Sequence, residues 1–321
     1  MNGGTLTTLS IDEIITPGIR KHFVDEYKMV KPALEKVYKI GTQESKTDTY
    51  ENYTGLTTVK AVPELGTYDE DIPIKAYGLK LTPVKKGLMM PVTMEMRKWS
   101  KAKQIWDGSR HLARALARDV EDQAADTFNK AFDTSYTSYT DDKPLCSVDH
   151  TRADGGTAQS NASATGIPFS EENIEVGLLA LESQKDDRGQ MITVFGNRVI
   201  IPPALRKQAL IDLRSDGRSG TADNDVNVYK SMQSFYGTIE ILVWDRLGSA
   251  NGGSDTAWFL EDTSTSQIMW QWAQRPNVTK NDNIGFKQDV TYYKGMYYAS
   301  KGWRDFRGIW GSKGDGQGYS D

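Results

Sequence analysis

The sequence is poor in the residues that most functional classes require. Only one of its 321 residues is a cysteine, Cys146, so no disulfide can form within the chain. Its three histidines, His22, His111 and His150, form no HExxH pair. Cys146 and His150 stand at C-x3-H spacing, but no second ligand pair completes a structural zinc site, and a plain polar loop is the expectation there. A basic excess is also missing: 39 Lys and Arg face 43 Asp and Glu, for a formal charge of −4. Tight binding to duplex by phosphate neutralisation is therefore not expected. Apolar runs extend only a few residues, well short of a membrane span. The opening "MNGGTLTTLS" has neither the basic nor the apolar region of a signal peptide. These absences lead us to expect a soluble protein folded in a reducing compartment. GxSxG and GxxxxGK[ST] do not occur, "GDGQG" has no helix to follow it, and "DNDVN" lacks the EF-hand spacing and suits an Asx turn better. Carboxylates are plentiful, but nothing selects a catalytic pair. No catalytic residue, metal or cofactor is expected.

What remains is a capacity to fold and to present surface. Hydrophobic residues make up 38% of the chain, and 29 glycines bring the apolar share to an ordinary level. The mean hydropathy of −0.57 suggests much surface per residue. The longest periodic signal is "RHLARALARDVEDQAADTFNKAF". Leu112, Leu116, Val120, Phe128 and Phe132 recur along one face of a helix predicted over 109–132, roughly 35 Å long. A shorter helix before it should break at Asp107-Gly108. Such an apolar stripe must be covered, and a sheet is the expected cover. "GQMITVFGNRVIIPPALRKQALIDLRS" reads as a strand at Ile192–Val194, a second at the Val199-Ile200-Ile201 run, and a helix opened by the double proline. Ser170 is placed to cap a helix that Gly189 ends. "TIEILVWDRL", "DTAWFLED", "QIMWQWAQRPNVT" and "DVTYYKGMYYASKGWRDFRGIWGS" read as strands, the last two dense in aromatics.

Three segments are less self-sufficient. Around "PGIRKHFVDEYKMV" a short helix puts Phe23 and Tyr27 on one face, docked either on its own domain or on a neighbour. Residues 42–93 are rich in Thr, Tyr and Val with Pro and Gly punctuation, including Tyr50, Tyr53, Tyr68, Tyr77, Lys85 and Lys86. They read as a hairpin with no strong apolar face, which needs another surface to lie on. Residues 133–169 read as a long loop that is functional, disordered, or ordered by contacts elsewhere.

This order of parts resembles the major capsid proteins of tailed bacteriophages, an α+β shell fold known as the Johnson fold. "GIRKHFVDEY" looks like the entry of the N-terminal arm, and "RHLARALARDVEDQAADTFNKAF" like the spine helix. "PLCSVDH" is similar to a short segment after it, "GQMITVFGNRVIIPPALRKQAL" looks like the entry to the axial domain, and "TAWFLED" and "GWRDFRGIWGS" like later strands. The resemblance implies an N-terminal arm at 1–41 and an extended β-hairpin loop at 42–93. It implies a peripheral domain at 94–175 with spine helix 109–132 and loop 133–169. An axial domain with a mixed sheet and helices follows at 176–265, with return strands and a C-terminal tail at 266–321. Its implied function is a structural subunit of hexamers and pentamers in an icosahedral head around double-stranded DNA, assembled in the host bacterial cytoplasm. Its implied partners are itself, portal, scaffolding and decoration proteins, with only weak non-specific contact to DNA and none to membrane. Phe23, Tyr27, Tyr50, Tyr53, Tyr68, Tyr77, Lys85 and Lys86 become candidate assembly residues. Tyr and Trp are favoured at interface cores, and the chain has 15 and 8 of them. Some relatives crosslink a Lys to an Asn, but no residue here supports that. An encapsulin-type nanocompartment shell is the neighbouring alternative. A glycan-binding protein or glycan-active enzyme, with "MWQWAQ" lining a groove, is an alternative from another class.

Overall fold

A computed structural model describes residues 8–29, 33–99, 102–138, 141–215, 217, 227, 229, 238–280 and 289–319, with side chains from 17 onward in the first helix and from 103 in the fourth. The acidic "DNDVN" stretch falls almost wholly outside them. Six helices are described: α1 Thr8–Met29, α2 Leu34–Val37, α3 Met94–Lys98, α4 Ala102–Asn129, α5 Glu171–Glu182 and α6 Arg206–Arg214. Ten strands accompany them: β1 Lys39–Thr42, β2 Asp48–Tyr50, β3 Leu79–Leu81, β4 Val84–Thr93, β5 Arg198–Ile201, β6 Glu240–Val243, β7 Trp258–Glu261, β8 Ile268–Lys280, β9 Val290–Trp303 and β10 Ile309–Ser312. The α+β class is as expected. No helix among the described residues is long and apolar enough to cross a membrane.

The first sheet has the order β1-β8-β9-β4. β8 and β9 form a long antiparallel pair, β4 runs antiparallel along β9, and β1 joins the far edge in parallel with β8. Along β9 the side chains alternate as a strand requires, and Thr291, Tyr293, Tyr297 and Ala299 are buried. The apolar stripe of α4 covers this sheet, with Leu112, Leu116, Val120 and Phe128 all buried in one cluster with Tyr293, Tyr297, Trp270 and Trp272. Gly295 permits the contact. A Cβ there would stand 2.8 Å from Leu116 Cδ1 and 3.1 Å from Leu112.

The boundaries of α4 differ from those read in sequence. The helix begins at Ala102 and passes through Asp107 and Gly108 without a break. Gly108 serves close approach instead: an added Cβ would lie 2.5 Å from Met90 Sδ on β4. At the other end the helix stops at Asn129, so Phe132 lies beyond it and stacks on Phe259 at 5.8 Å. The sequence also reads the first helix as a short one around "PGIRKHFVDEYKMV". Instead α1 starts at Thr8 and carries Pro17 inside.

The second sheet, of order β10-β7-β5-β6, explains the strand that precedes the double proline. β5, β7 and β10 are buried at every position. Alternate residues serve two different cores. Ile200, Phe259 and Ile309 point into the cluster beneath α4, whereas Val199, Ile201, Trp258, Leu260 and Trp310 belong to a second cluster with Ile174 and Leu181 of α5 and Ala209 and Leu213 of α6. A strand buried on both faces reads as an unbroken apolar run, as "VII" does. The expected strand at Ile192–Val194 is absent. Only an isolated bridge joins Met191 to Lys185, and Val194 is buried as a single side chain. The double proline opens a 3-10 turn, Pro203–Leu205, that feeds α6. Ser170 caps α5 by accepting the Asn173 N–H at 3.3 Å, but the helix ends at Glu182, and Gly189 (φ +77°) serves a later turn.

Residues 133–169 contain no helix or strand among those described, yet contacts within the chain hold them. The Asn161 amide accepts the Ser147 N–H at 2.8 Å and donates to the carbonyls of Leu145 at 2.8 Å and Ile309 at 3.2 Å. His150 is buried, with Nδ1 2.6 Å from Asp141 Oδ2, Nε2 3.1 Å from Asn161 Oδ1, and its ring stacked on Phe306 at 3.7 Å. Both ring nitrogens are thus engaged in bracing the loop, and no group of three metal-ligating side chains occurs among the described residues.

Candidate assembly surface

Among the described residues, the segment between β2 and β3 is one that the chain's own fold leaves with much apolar surface uncovered. At its root, β2 and β3 pair antiparallel, with Asp48 opposite Leu81 and Tyr50 opposite Leu79. The two limbs stay together through an isolated bridge between Tyr53 and Lys75, and the Thr54 N–H donates to the Ile74 carbonyl at 2.8 Å. Further out, Asp71 accepts the Thr57 N–H at 2.7 Å, a bond that holds its carboxyl below the usual carboxylate range. The expected hairpin over 42–93 is therefore shorter than its span. Its outer part is irregular, and its last ten residues are β4, which belongs to the first sheet.

Two arginines pin the root to the body. Arg188 donates to Thr54 Oγ1 at 3.2 Å, to Asp71 Oδ1 at 3.3 Å and to the Ile72 carbonyl at 2.9 Å. Arg304 bonds to the Asn52 side chain and accepts from it through its own carbonyl at 2.9 Å. Polar groups are thereby satisfied within the chain while apolar ones are left outside. Tyr53, Leu56, Val59, Leu65, Tyr68 and Ile72 are all exposed, Val59 by 93% and Tyr68 by 79%. Scattered apolar residues on a surface are ordinary, but six within the twenty residues from Tyr53 to Ile72 make this segment a candidate interaction site.

The other candidate residues have different fates. Phe23 is buried against α4 and stacks with Tyr27 at 6.4 Å. The helix carrying them therefore docks on its own chain. It is held there by Glu26–Arg114 at 2.6 Å and by His22 against the Trp106 ring. Burial lifts the Tyr27 hydroxyl to about 12. Tyr50 is half-buried in β2, and the half-buried Tyr77 shares a hydrogen bond with Thr151 at 2.9 Å. Lys86 pairs with Asp119 of α4 at 3.0 Å, so its charge is used internally, whereas Lys85 is exposed near the Tyr298 ring. Of the eight candidates, Tyr53 and Tyr68 lie on the exposed run. Sequence reasoning missed its aliphatic members, Leu56, Val59, Leu65 and Ile72. Their signal was available as apolar residues set among Pro, Gly and Asp with no helical or strand period.

A second junction ties the N-terminal segment to the second sheet. Arg198 of β5 donates to the Lys36 carbonyl at 2.6 Å, to Glu240 Oε2 at 2.8 and 2.9 Å, and to Glu261 Oε2 at 3.1 Å. Burial pushes the Glu261 carboxyl up to about 7, with the Arg198 guanidinium opposing the shift. Of the aromatics of "MWQWAQ", Trp272 lines one side of a hollow between α1, α4 and β8. Trp270 and Trp272 are buried against each other at 5.2 Å beneath α4.

A family model described as phage capsid protein matches residues 77–312. Among solved structures the fold is similar to the capsid of an empty GTA particle, at 12% identity over 93% of this chain and 98% of that chain, with a TM-score of 0.55. It is similar to the capsid of the cyanophage P-SCSP1u, at 13% identity over 88% and 87%, with a TM-score of 0.52. It is also similar to a chain of Microbacterium phage Oxtober96, at 14% identity over 86% of each, with a TM-score of 0.51. No curated protein sequence matches the chain.

Proposed function

The chain belongs to the phage capsid protein family, and we propose that it closes into an icosahedral head of hexamers and pentamers around double-stranded DNA. It is a structural shell protein that assembles with copies of itself. The observation that carries the finer reading is the run of exposed apolar side chains from Tyr53 to Ile72 on a segment pinned at its root. A monomer in water gains nothing from this arrangement. A neighbour that covers it recovers apolar burial at roughly 25 cal/mol per Å². Each such contact is modest, but in a closed shell a subunit held by one neighbour meets the others at high effective concentration.

In this reading residues 1–41 are the arm, 42–93 the extended loop, 94–175 the peripheral domain and 176–265 the axial domain, with 266–321 returning through both. Tyr53, Tyr68 and Lys85 face neighbours. Phe23 and Tyr27 fix the arm on the spine helix α4, so that the arm moves with its own subunit. The net charge of −4 suits a wall that must not adhere tightly to packaged DNA. Portal, scaffolding and decoration proteins are the further partners of such a head, and the host bacterial cytoplasm is where it would assemble. Electron microscopy of the purified chain tests the proposal. Closed particles with five-fold and six-fold clusters are expected. Monodisperse monomers under every condition of concentration, salt and pH would overturn it.

A further inference from the structure

We propose that Arg188 is the residue that fixes the direction of the extended loop relative to the body of its own subunit, so that the loop is aimed before any neighbour meets it. The inference rests on the shell reading and names a positioning residue within it. Outward from the bond between Thr54 and Ile74 the loop has no strand or helix. Its limbs are tied to each other by Lys60–Asp69 at 2.8 Å and by the Thr57 N–H on Asp71. Among the described residues, every hydrogen bond and ion pair that joins residues 54–74 to the rest of the chain ends on Arg188. Its guanidinium takes both limbs at once, Thr54 Oγ1 on the outgoing one and Asp71 Oδ1 with the Ile72 carbonyl on the returning one. A planar fork shared among three acceptors sets an orientation as well as a distance.

Arg188 has a preformed support of its own. It sits at the tip of a tight hairpin after α5, where Met191 bridges to Lys185 and the Gly189 N–H donates to the Asp186 carbonyl at 3.1 Å. Asp186 Oδ1 accepts the N–H groups of Arg188 and Gln190, both at 2.8 Å. Gly189 takes φ +77° there, and an added Cβ would stand 2.9 Å from the Arg152 guanidinium. The body holds this hairpin in turn. Gln159 donates to the Asp186 carbonyl at 3.2 Å and accepts the Lys185 N–H at 3.3 Å. Arg307, stacked on Phe306, donates to the Lys185 carbonyl at 2.6 Å and pairs with Asp187 at 3.0 Å. The Arg188 side chain is only 13% exposed, so water screens its bonds less than those of an open surface pair. Tyr53, Leu56, Val59, Leu65, Tyr68 and Ile72 gain no burial from this grip. What the grip determines is where they point. A segment aimed in advance loses less freedom on association than one that must be ordered on contact.

Distances between spin labels on unassembled subunits test this directly. Val59→Cys on the loop and Leu210→Cys on α6 supply the labelled pair, since both sites are exposed and the one native thiol, Cys146, is buried. With Arg188 present a narrow distance distribution is expected. Arg188→Gln should at least double its width while leaving the urea midpoint in place. Arg188→Lys keeps the charge without the fork and should widen it as well. Asp71→Asn reaches the same contact from the loop side and should widen it to a smaller degree. An unchanged width in Arg188→Gln overturns the proposal, and a native width in Arg188→Lys overturns the part played by the fork. A lowered midpoint in both variants would make Arg188 a prop of the fold and would overturn the proposal too. In assembly, Arg188→Gln should give open sheets or shells of mixed size where the unaltered chain gives uniform closed particles. Uniform closed particles from the variant would count against the aiming role. Failure of the unaltered chain to form particles would sink the shell reading as a whole, while the label distances would still decide whether Arg188 holds the loop.

Discussion

Trp270 and Leu65 are both large apolar residues, and the molecule treats them in opposite ways. Trp270 sits under α4 with Tyr38 and Trp272 around it. Leu65 stands in water on a strained turn. The difference extends to the two regions they represent. Under α4, helix, long sheet and N-terminal segment cover one another, and apolar burial stabilises the single chain. In the loop only the polar root is satisfied internally, so its apolar residues contribute nothing to the stability of a lone subunit. Substitutions in the first region should therefore damage the fold, while those in the second should damage assembly and spare the fold.

The largest effect should come from Phe128→Ala, which empties a site where the ring meets Phe259 at 5.2 Å and Trp244 at 5.9 Å. Loss of about 3–5 kcal/mol is expected, read as the urea midpoint of unassembled subunits. A shift near zero would dissolve the contrast between the regions. Next in size is a pH effect at the Arg198 junction. The folded state raises Glu261 from 4.5 to about 7. The native carboxyl then keeps a proton that the unfolded one has already released. The stability contributed by this group is full below pH 4.5 and declines as pH rises towards 7. Glu261→Gln should flatten that decline, measured as urea midpoints across the window, and an unchanged slope would show that the junction is not the source.

Smaller, and of opposite sign, is Leu65→Gly. Relief of the left-handed strain should leave the subunit as stable as before or firmer by about 1 kcal/mol, while particle yield falls. A destabilised subunit with normal assembly would reverse the comparison. Least of all, Lys75→Met breaks the exposed pair with Glu51 at 2.6 Å. Pairs that are open to solvent contribute little, so neither midpoint nor particle yield should move.

Much of the architecture was legible before the structure. The stripe Leu112, Leu116, Val120 and Phe128 announced a long helix that needed a sheet beneath it, because a 3.6-residue period can be read locally. Ser170 announced the start of α5 for the same reason. Gly108 misled: in sequence a glycine after an aspartate reads as a break, and only Met90, brought in from another strand, shows it to be a close contact. The Ile192–Val194 strand failed because alternation over three residues carries little information without a paired neighbour. Six of the eight assembly candidates were aromatics, and aromatics serve cores as readily as interfaces. Phe23 went to the core, while the aliphatic Leu56, Val59 and Leu65 were passed over.

From its composition and local periods alone, this sequence determined that it would be an α+β protein with one dominant amphipathic helix and apolar strands, and that it lacked the motifs of the familiar chemistries. Those properties depend on neighbours along the chain. Which apolar residues would be covered was decided only by the tertiary structure. Phe23 is buried because α4 lies against it, and Leu65 is bare because no described segment covers the tip of the loop whose root is pinned. Burial is a relation between segments far apart in sequence, and so is its absence.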